Sequence, residues 1–304
     1  MKFIPLLLAA AFACLAQKQE GFVTVPGGPV WYRITRPDKG IPLVVLHGGP
    51  GGTSCYFSRL ESGVDQTVVT YDQLGSGRSG RPNDPSLWNV DRFVEELDVL
   101  RKSLGLKRMH LMGHSWGASL AAAYVLKKGT TGIESLILSS PLLSTSDWIR
   151  DAQMLKKQLP LPTQRILERH EAAGTTDSPE YHEAEQEYTN RFVRRAARVS
   201  NPDCVESLPN RQIYQQIWGP TEFHATGTLK SFDVTSQFSK LKLPVLLIVG
   251  EFDEATPATA ERYQKQIPGS KLVVIPGAAH AQLNDNPDAA LSALRSFLRS
   301  VEKN

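Results

Sequence analysis

The sequence predicts an α/β fold: a mostly parallel sheet of about eight strands, with helices on both faces and a helical cap inserted between two core strands. Three observations predict it. Short apolar runs alternate with amphipathic stretches from Leu43 onward, the pattern of βαβ winding. Gly113-His114-Ser115-Trp116-Gly117 joins one such run, Arg108 to Met112, to the helix-forming Ala118 to Tyr124, which reads as strand, sharp turn, helix. Between Ser140 and Leu243 the texture becomes polar and helical, with no strong strand run, before the parallel series resumes.

The elements follow in order. Residues Gly21 to Arg36 alternate around Pro26-Gly27-Gly28-Pro29, so an antiparallel hairpin opens the sheet. Leu43 to Leu46, Thr67 to Tyr71 and Met109 to Met112 are continuous apolar runs, as buried parallel strands require. A helix from about Val90 to Leu104 separates the last two and puts Val90, Phe93, Val94, Leu97, Leu100 and Leu104 on one face. Ile133 to Ser139, Pro244 to Val249 and Lys271 to Ile275 continue the strands, and an amphipathic helix from about Pro287 to Leu298 closes the chain. Residues 17–140 and 241–304 are the expected core and 141–240 the expected cap, lying over the strand tips.

The composition permits this without a metal or disulfide scaffold. Of 304 residues, 41% are hydrophobic and 21% charged, enough to bury a sizeable core. Met1-Lys2, the apolar stretch Phe3 to Ala13 and Cys14-Leu15-Ala16 before polar Gln17 predict a signal peptide, residues 1–16, and a secreted or extracytoplasmic protein. That run is shorter than the roughly 20 residues needed to span a bilayer, so no membrane attachment is expected after cleavage. Loss of Lys2 takes the 34 basic residues to 33 against 31 acidic ones, a net charge of +2 rather than +3, and no nucleic-acid partner is implied. Cys55 and Cys204 remain; an oxidising compartment would permit one bridge, which the sequence alone leaves open.

The chemistry begins at the sharp turn. Gly113 and Gly117 relieve crowding so that a strained backbone can lift the Ser115 hydroxyl above the sheet edge, the nucleophile elbow of the α/β-hydrolase fold. The plainer reading of Ser115, taken alone, is a cap on the helix that follows. Two further strands decide the reading: Val245 to Val249 runs into Gly250-Glu251-Phe252-Asp253-Glu254, and Leu272 to Ile275 runs into Pro276-Gly277-Ala278-Ala279-His280. Ser115, Asp253 and His280 then share one sheet edge in the chain order this fold requires, with His280 as general base and Asp253 holding its tautomer. The plainer alternatives are an Asp253 that caps a helix near Pro257 and a His280 packed in a loop under Leu283. His114, His110, His170 and His182 read as packing residues.

His47-Gly48-Gly49-Pro50-Gly51-Gly52 follows the strand ending at Leu46 and is nearly free of side chains. The backbone N–H groups of Gly49 and Trp116 are the expected oxyanion donors, each worth about 3 kcal/mol in the transition state. Gly75-Ser76-Gly77-Arg78-Ser79-Gly80 matches a dinucleotide fingerprint, but Arg81-Pro82-Asn83-Asp84-Pro85 does not open the helix that would hold a pyrophosphate. No metal or organic cofactor is expected, because no ligand spacing stands out and the triad needs none.

Taken together, His47 to Gly52, Asp72-Gln73-Leu74-Gly75-Ser76-Gly77-Arg78-Ser79 and Gly113 to Gly117 resemble the proline iminopeptidases, serine aminopeptidases of the α/β-hydrolase fold. Ile217-Trp218-Gly219-Pro220-Thr221-Glu222-Phe223 and Gly250 to Pro257 look like the tricorn-interacting aminopeptidase branch of that family, and the similarity runs from about residue 22 to the C-terminus. The resemblance implies that Glu222 and Glu254 bind the free α-ammonium group of a short peptide or amino-acid amide. A cation between two carboxylates gains charge-assisted hydrogen bonds of roughly 1.5–3 kcal/mol each. Two residues depart from the family's pattern: His114 stands where many members have glycine, and Ser76 where many have cysteine.

Three functions share these residues. The first is an aminopeptidase that releases one N-terminal residue through an acyl-enzyme. The second is an esterase or amidase acting on a small metabolite with the same triad and no amine site. The third is a hydrolase-fold binding protein without catalysis, against which the complete Ser115, Asp253 and His280 set argues.

Overall fold

The computed structural model describes residues 18–197, 201–204 and 208–303, so the expected signal peptide lies outside the described residues. Strands β1 (Lys18–Val25) and β2 (Gly28–Thr35) form the opening antiparallel hairpin. Its turn passes through Gly27 at φ +103, a conformation that favours glycine. The remaining strands are β3 (Leu43–Leu46), β4 (Val68–Tyr71), β5 (Met109–His114), β6 (Ile133–Ser139), β7 (Val245–Gly250) and β8 (Lys271–Ile275). They assemble into one eight-stranded sheet in the order β1-β2-β4-β3-β5-β6-β7-β8, parallel from β4 to β8. The chain crosses over between β3 and β5, so their carboxyl ends flank a topological switch point, where sheets of this kind place ligands.

The strand runs are apolar on both sides because helices cover both faces. On one face lie α2 (Val90–Ser103), α3 (Trp116–Lys128) and α8 (Pro257–Gln266). Phe93, Val94, Leu97 and Leu100 of α2 are all buried, as their helical spacing dictates, and the Asn89 side chain caps the helix by accepting from Arg92 N. Residues Trp116 to Val125 of α3 are buried all round, which suits a helix sandwiched between the sheet and its neighbours. On the other face α1 (Leu60–Gly63) and, beyond α9 (Gln282–Asp285), α10 (Pro287–Glu302) contribute Leu60, Leu294, Phe297 and Leu298 to a second apolar cluster.

Between β6 and β7 lie α4 (Thr145–Lys156), α5 (Leu161–Ala173), α6 (Pro179–Tyr188) and α7 (Arg211–Ile217). They carry an apolar cluster of their own, including Leu167, Tyr181, Tyr188 and Phe223, while Trp148, Ile213 and Trp218 join the main core. The strap leading into α7 is laced to the core. Cys204 is disulfide-bonded to Cys55, Lys18 pairs with Asp203 at 2.6 Å, and Gly77 N donates to Leu208 O at 3.0 Å. Asn210 N donates to Gly51 O at 2.7 Å, immediately before α7 begins. The histidine expectation needs one correction: His182 is not packed inside but has a 42% exposed side chain, because α6 turns that face to solvent.

Candidate active site

Backbone constraints build the site. Ser115 adopts φ 56 and ψ −122, a strained conformation worth of order 1–3 kcal/mol. A Cβ on Gly113 would come within 2.0 Å of Gly117 O, and one on Gly117 within 2.1 Å of Leu46 O, so the turn admits only glycine at both places. The Ser115 side chain makes no capping bond to α3, which removes the plainer reading of that residue. Across the turn, a Cβ on Gly48 would sit 2.9 Å from Ser115 Cβ, so the glycine-rich loop after β3 runs directly against the Ser115 turn.

The two flanking motifs hold that loop in place. Gln73 N donates to His47 Nε2 at 2.9 Å, Gln73 Nε2 donates to His47 O at 2.9 Å, and Trp116 Nε1 donates to Gln73 Oε1 at 2.9 Å. Buried Asp72 accepts from Ser54 N and Ser54 Oγ at 2.8 Å each and from Arg78 N at 2.9 Å. Residues 72–79 are thus a brace for the glycine-rich loop, and no helix opens there to receive a pyrophosphate. Gly49, at φ +118 and joined to Pro50 by a cis peptide, and Trp116, the first residue of α3 with no intrahelical acceptor for its N–H, border one cavity.

That cavity has a volume of about 170 Å3. Ser115 and His280 open into it together with Glu222 and Glu254, between walls that include Leu142, Trp148 and Trp218. Asp253 lies beneath. Its Oδ1 accepts from His280 Nδ1 at 2.8 Å and from Ala255 N at 2.8 Å, and its Oδ2 accepts from Gly250 N at 3.0 Å. Thr256, not Asp253, caps α8. Among the described residues the Ser115 hydroxyl makes no hydrogen bond, so the pair with His280 is not closed; His280 Nε2 stands 3.9 Å from Glu254 Oε1. Hollows of 420 and 620 Å3 elsewhere are larger, but they touch none of these residues.

The electrostatics are one-sided. Burial pushes the Glu254 carboxyl well above the ordinary range, and Glu222 and Asp253 push it further. Glu254 Oε2 is buried without a hydrogen-bond partner among the described residues. Burial also raises Glu222, against the hydroxyl of Tyr214, which donates to Glu222 Oε1 at 2.6 Å, and against the nearby His280. Among the described residues no lysine or arginine lines the cavity to neutralise either one.

A model of the α/β-hydrolase fold family matches residues 41–287 of the chain. A proline iminopeptidase of Heyndrickxia coagulans is 43% identical over 289 residues, covering 93% of this chain and 99% of that one. Another from Saccharolobus solfataricus is 35% identical over 289 residues, covering 93% of each. The chain belongs to the proline iminopeptidase family. The crystal structure of a proline iminopeptidase from Mycobacterium smegmatis superposes on this iminopeptidase-family fold with a TM-score of 0.83 at 32% identity, covering 93% of this chain and 99% of that one. The protein is accordingly an enzyme, a serine hydrolase of the prolyl aminopeptidase type.

Sequence reasoning missed several residues of this iminopeptidase-family site. Tyr214 supports Glu222 from α7, Trp148 stands edge-on to the His280 ring at 5.6 Å, and Trp218 stands edge-on to Trp148 at 6.2 Å. The tryptophans gave a signal, since large aromatics in an otherwise polar insertion need something to pack on. Ser140, which meets both Asp253 and Gln282, and Gln282 itself gave none.

Proposed function

We propose that the protein is an aminopeptidase that releases one N-terminal residue from short peptides or amino-acid amides through an acyl-enzyme on Ser115. The observation that carries this reading is a cavity in which two carboxylates stand beside Ser115 and His280, with no lysine or arginine in its lining among the described residues. A buried carboxyl is neutralised by a proton or by a bound cation, and a substrate's α-ammonium supplies the second. Glu222 and Glu254 hold that group, which sets the first carbonyl over Ser115.

The Ser115 hydroxyl then attacks the carbonyl carbon while His280 Nε2 takes its proton, and Asp253 stabilises the imidazolium through Nδ1. The oxyanion is received by the N–H groups of Gly49 and Trp116. His280 returns the proton to the leaving amine, and the C–N bond breaks. A water molecule, deprotonated in turn by His280, hydrolyses the ester and frees the amino acid. Closure of the Ser115–His280 hydrogen bond accompanies substrate binding, as is common for catalytic pairs that are loose in the free enzyme.

Export of the protein is part of the proposal. It is supported by the signal-like pattern of residues 1–16 and by the Cys55–Cys204 bridge, which an oxidising compartment sustains. The activity is tested with a panel of aminoacyl β-naphthylamides and p-nitrophenyl acetate, with Ser115→Ala as control. The proposal expects cleavage of prolyl and other small aminoacyl amides, all of it lost in Ser115→Ala. Turnover of the ester alone would replace this reading by the esterase one.

A further inference from the structure

His114 ends β5, one residue before Ser115, and its ring faces that of His280 with centroids 4.7 Å apart. Its Nδ1 lies 3.1 Å from Ser139 Oγ. Ser139 Oγ in turn accepts from Gln282 Nε2 at 2.9 Å, and Gln282 Oε1 lies 2.6 Å from Ser140 Oγ. The Ser140 hydroxyl, with one proton to give, stands between that amide oxygen and Asp253 Oδ2. Asp253 Oδ1 accepts from His280 Nδ1 at 2.8 Å, which brings the path back to its start.

We propose that His114 is a positioning residue for the triad, closing a circuit of side chains His280, Asp253, Ser140, Gln282, Ser139 and His114 that fixes the plane of the His280 imidazole. The links come from the tip of β5 (His114), the tip of β6 (Ser139 and Ser140), the loops after β7 and β8 (Asp253 and His280) and the start of α9 (Gln282). The circuit therefore ties together the four tips on which the triad depends. A ring held at Nδ1 alone can still tilt about that hydrogen bond. His114 and Trp148, whose rings lie 4.7 and 5.6 Å from that of His280, restrict the tilt.

His114 is itself held. Tyr56 stacks on it at 4.5 Å and 28°, and the Tyr56 hydroxyl accepts from Leu283 N at 3.2 Å, so a second route returns to α9. The residue is not a spare base: burial and the neighbouring His280 hold its imidazole well below the ordinary histidine range, so it stays neutral. Ser139 Oγ accepts from Gln282 Nε2 and still has a proton and a second lone pair, so it can pair with His114 Nδ1 in either tautomer of the ring. A phenylalanine would fill the same space but leave the Ser139 hydroxyl without this partner.

The inference rests on the triad reading of the proposed function and is independent of the amine site, so it is tested on p-nitrophenyl acetate as well as prolyl β-naphthylamide. His114→Phe and Ser139→Ala should each lower kcat roughly tenfold on both substrates with KM within about twofold, the loss expected when a base is slightly misaimed. The double variant should lose no more than the worse single one, because both cut the same circuit. His114→Asn, whose side-chain amide can reach the place of Nδ1, should recover to within about threefold of the parent. Parental kcat in His114→Phe, or losses that multiply to roughly a hundredfold, would overturn the proposal and leave His114 a packing residue. Should His114→Phe not fold, Ser139→Ala, which removes a single oxygen, carries the same comparison. Full turnover in Ser115→Ala would instead sink the triad reading, and full amide turnover in Glu222→Gln would sink only the amine site.

Discussion

Replacing Glu222 by Gln removes one negative charge and almost nothing else. The amide oxygen of Gln can still accept from Tyr214, whose hydroxyl lies 2.6 Å from Glu222 Oε1, so the local packing persists. What is lost is one charge-assisted hydrogen bond to the substrate ammonium, roughly 1.5–3 kcal/mol. At 1.4 kcal/mol per factor of ten, kcat/KM for prolyl β-naphthylamide should fall roughly 10- to 150-fold. The p-nitrophenyl acetate rate, which uses no amine, should stay within about twofold. Stability supplies the control. Burial raises the Glu222 carboxyl above its unfolded value, so its contribution to stability is present below the ordinary carboxylate range and is lost as pH rises through the folded value. Gln carries no such cost, and at pH 8 the variant should melt no lower than the parent. If Glu222→Gln cleaves the prolyl amide as fast as the parent, the argument from a buried, uncompensated carboxylate pair is wrong.

The remaining predictions concern the scaffold and the protonation of the site. Reduction of Cys55–Cys204, or the Cys55→Ser/Cys204→Ser double variant, opens a loop of 149 residues, worth about 5 kcal/mol in the chain-entropy description. The melting temperature should drop by roughly 10 °C in calorimetry, and a drop under about 2 °C would show that the bridge does not constrain the chain as drawn. Gly48→Ala puts a methyl group 2.9 Å from Ser115 Cβ and should cost roughly a hundredfold in kcat and slow fluorophosphonate labelling of Ser115; unchanged labelling would contradict the close approach. Because Glu254 and Glu222 both hold protons more tightly than ordinary carboxyls, ammonium binding should expel protons. Titration of L-prolinamide into Ser115→Ala at pH 6 should give binding heats that differ between phosphate and Bis-Tris buffers, which take up the expelled protons with different heats, and identical heats would argue against raised carboxyls.

Much of the site was legible because it is written in local constraints. Gly113 and Gly117 flank Ser115 at positions where any Cβ would strike backbone, so the motif dictates the turn. Asp253 and His280 follow apolar runs whose length and continuity fix them at neighbouring strand ends, and β7 and β8 do pair in parallel. The hairpin, α2 and α10 were readable from period and turn chemistry alone. What stayed hidden depends on tertiary juxtaposition. Ser140 and Gln282 are 142 positions apart and meet only because β6 and α9 converge on the same corner of the sheet. Ser140, at φ 45, is also strained in a way that no neighbouring residue announces. Cys55 and Cys204 are far apart along the chain, and their pairing follows from the strap lying across the loop after β3. His114 looked like filler because the adjacent serine explains the motif, whereas its partners lie on β6 and beyond β8.

The most direct test of the whole account compares kcat/KM for prolyl β-naphthylamide with that for N-acetylprolyl β-naphthylamide, using Ser115→Ala as the blank. Acetylation removes the positive charge that Glu222 and Glu254 are proposed to hold while leaving the scissile amide intact. A fall of at least roughly a hundredfold, with no turnover by Ser115→Ala, is the predicted result. Equal cleavage of the two substrates would contradict it, since the carboxylate pair would then be reading nothing.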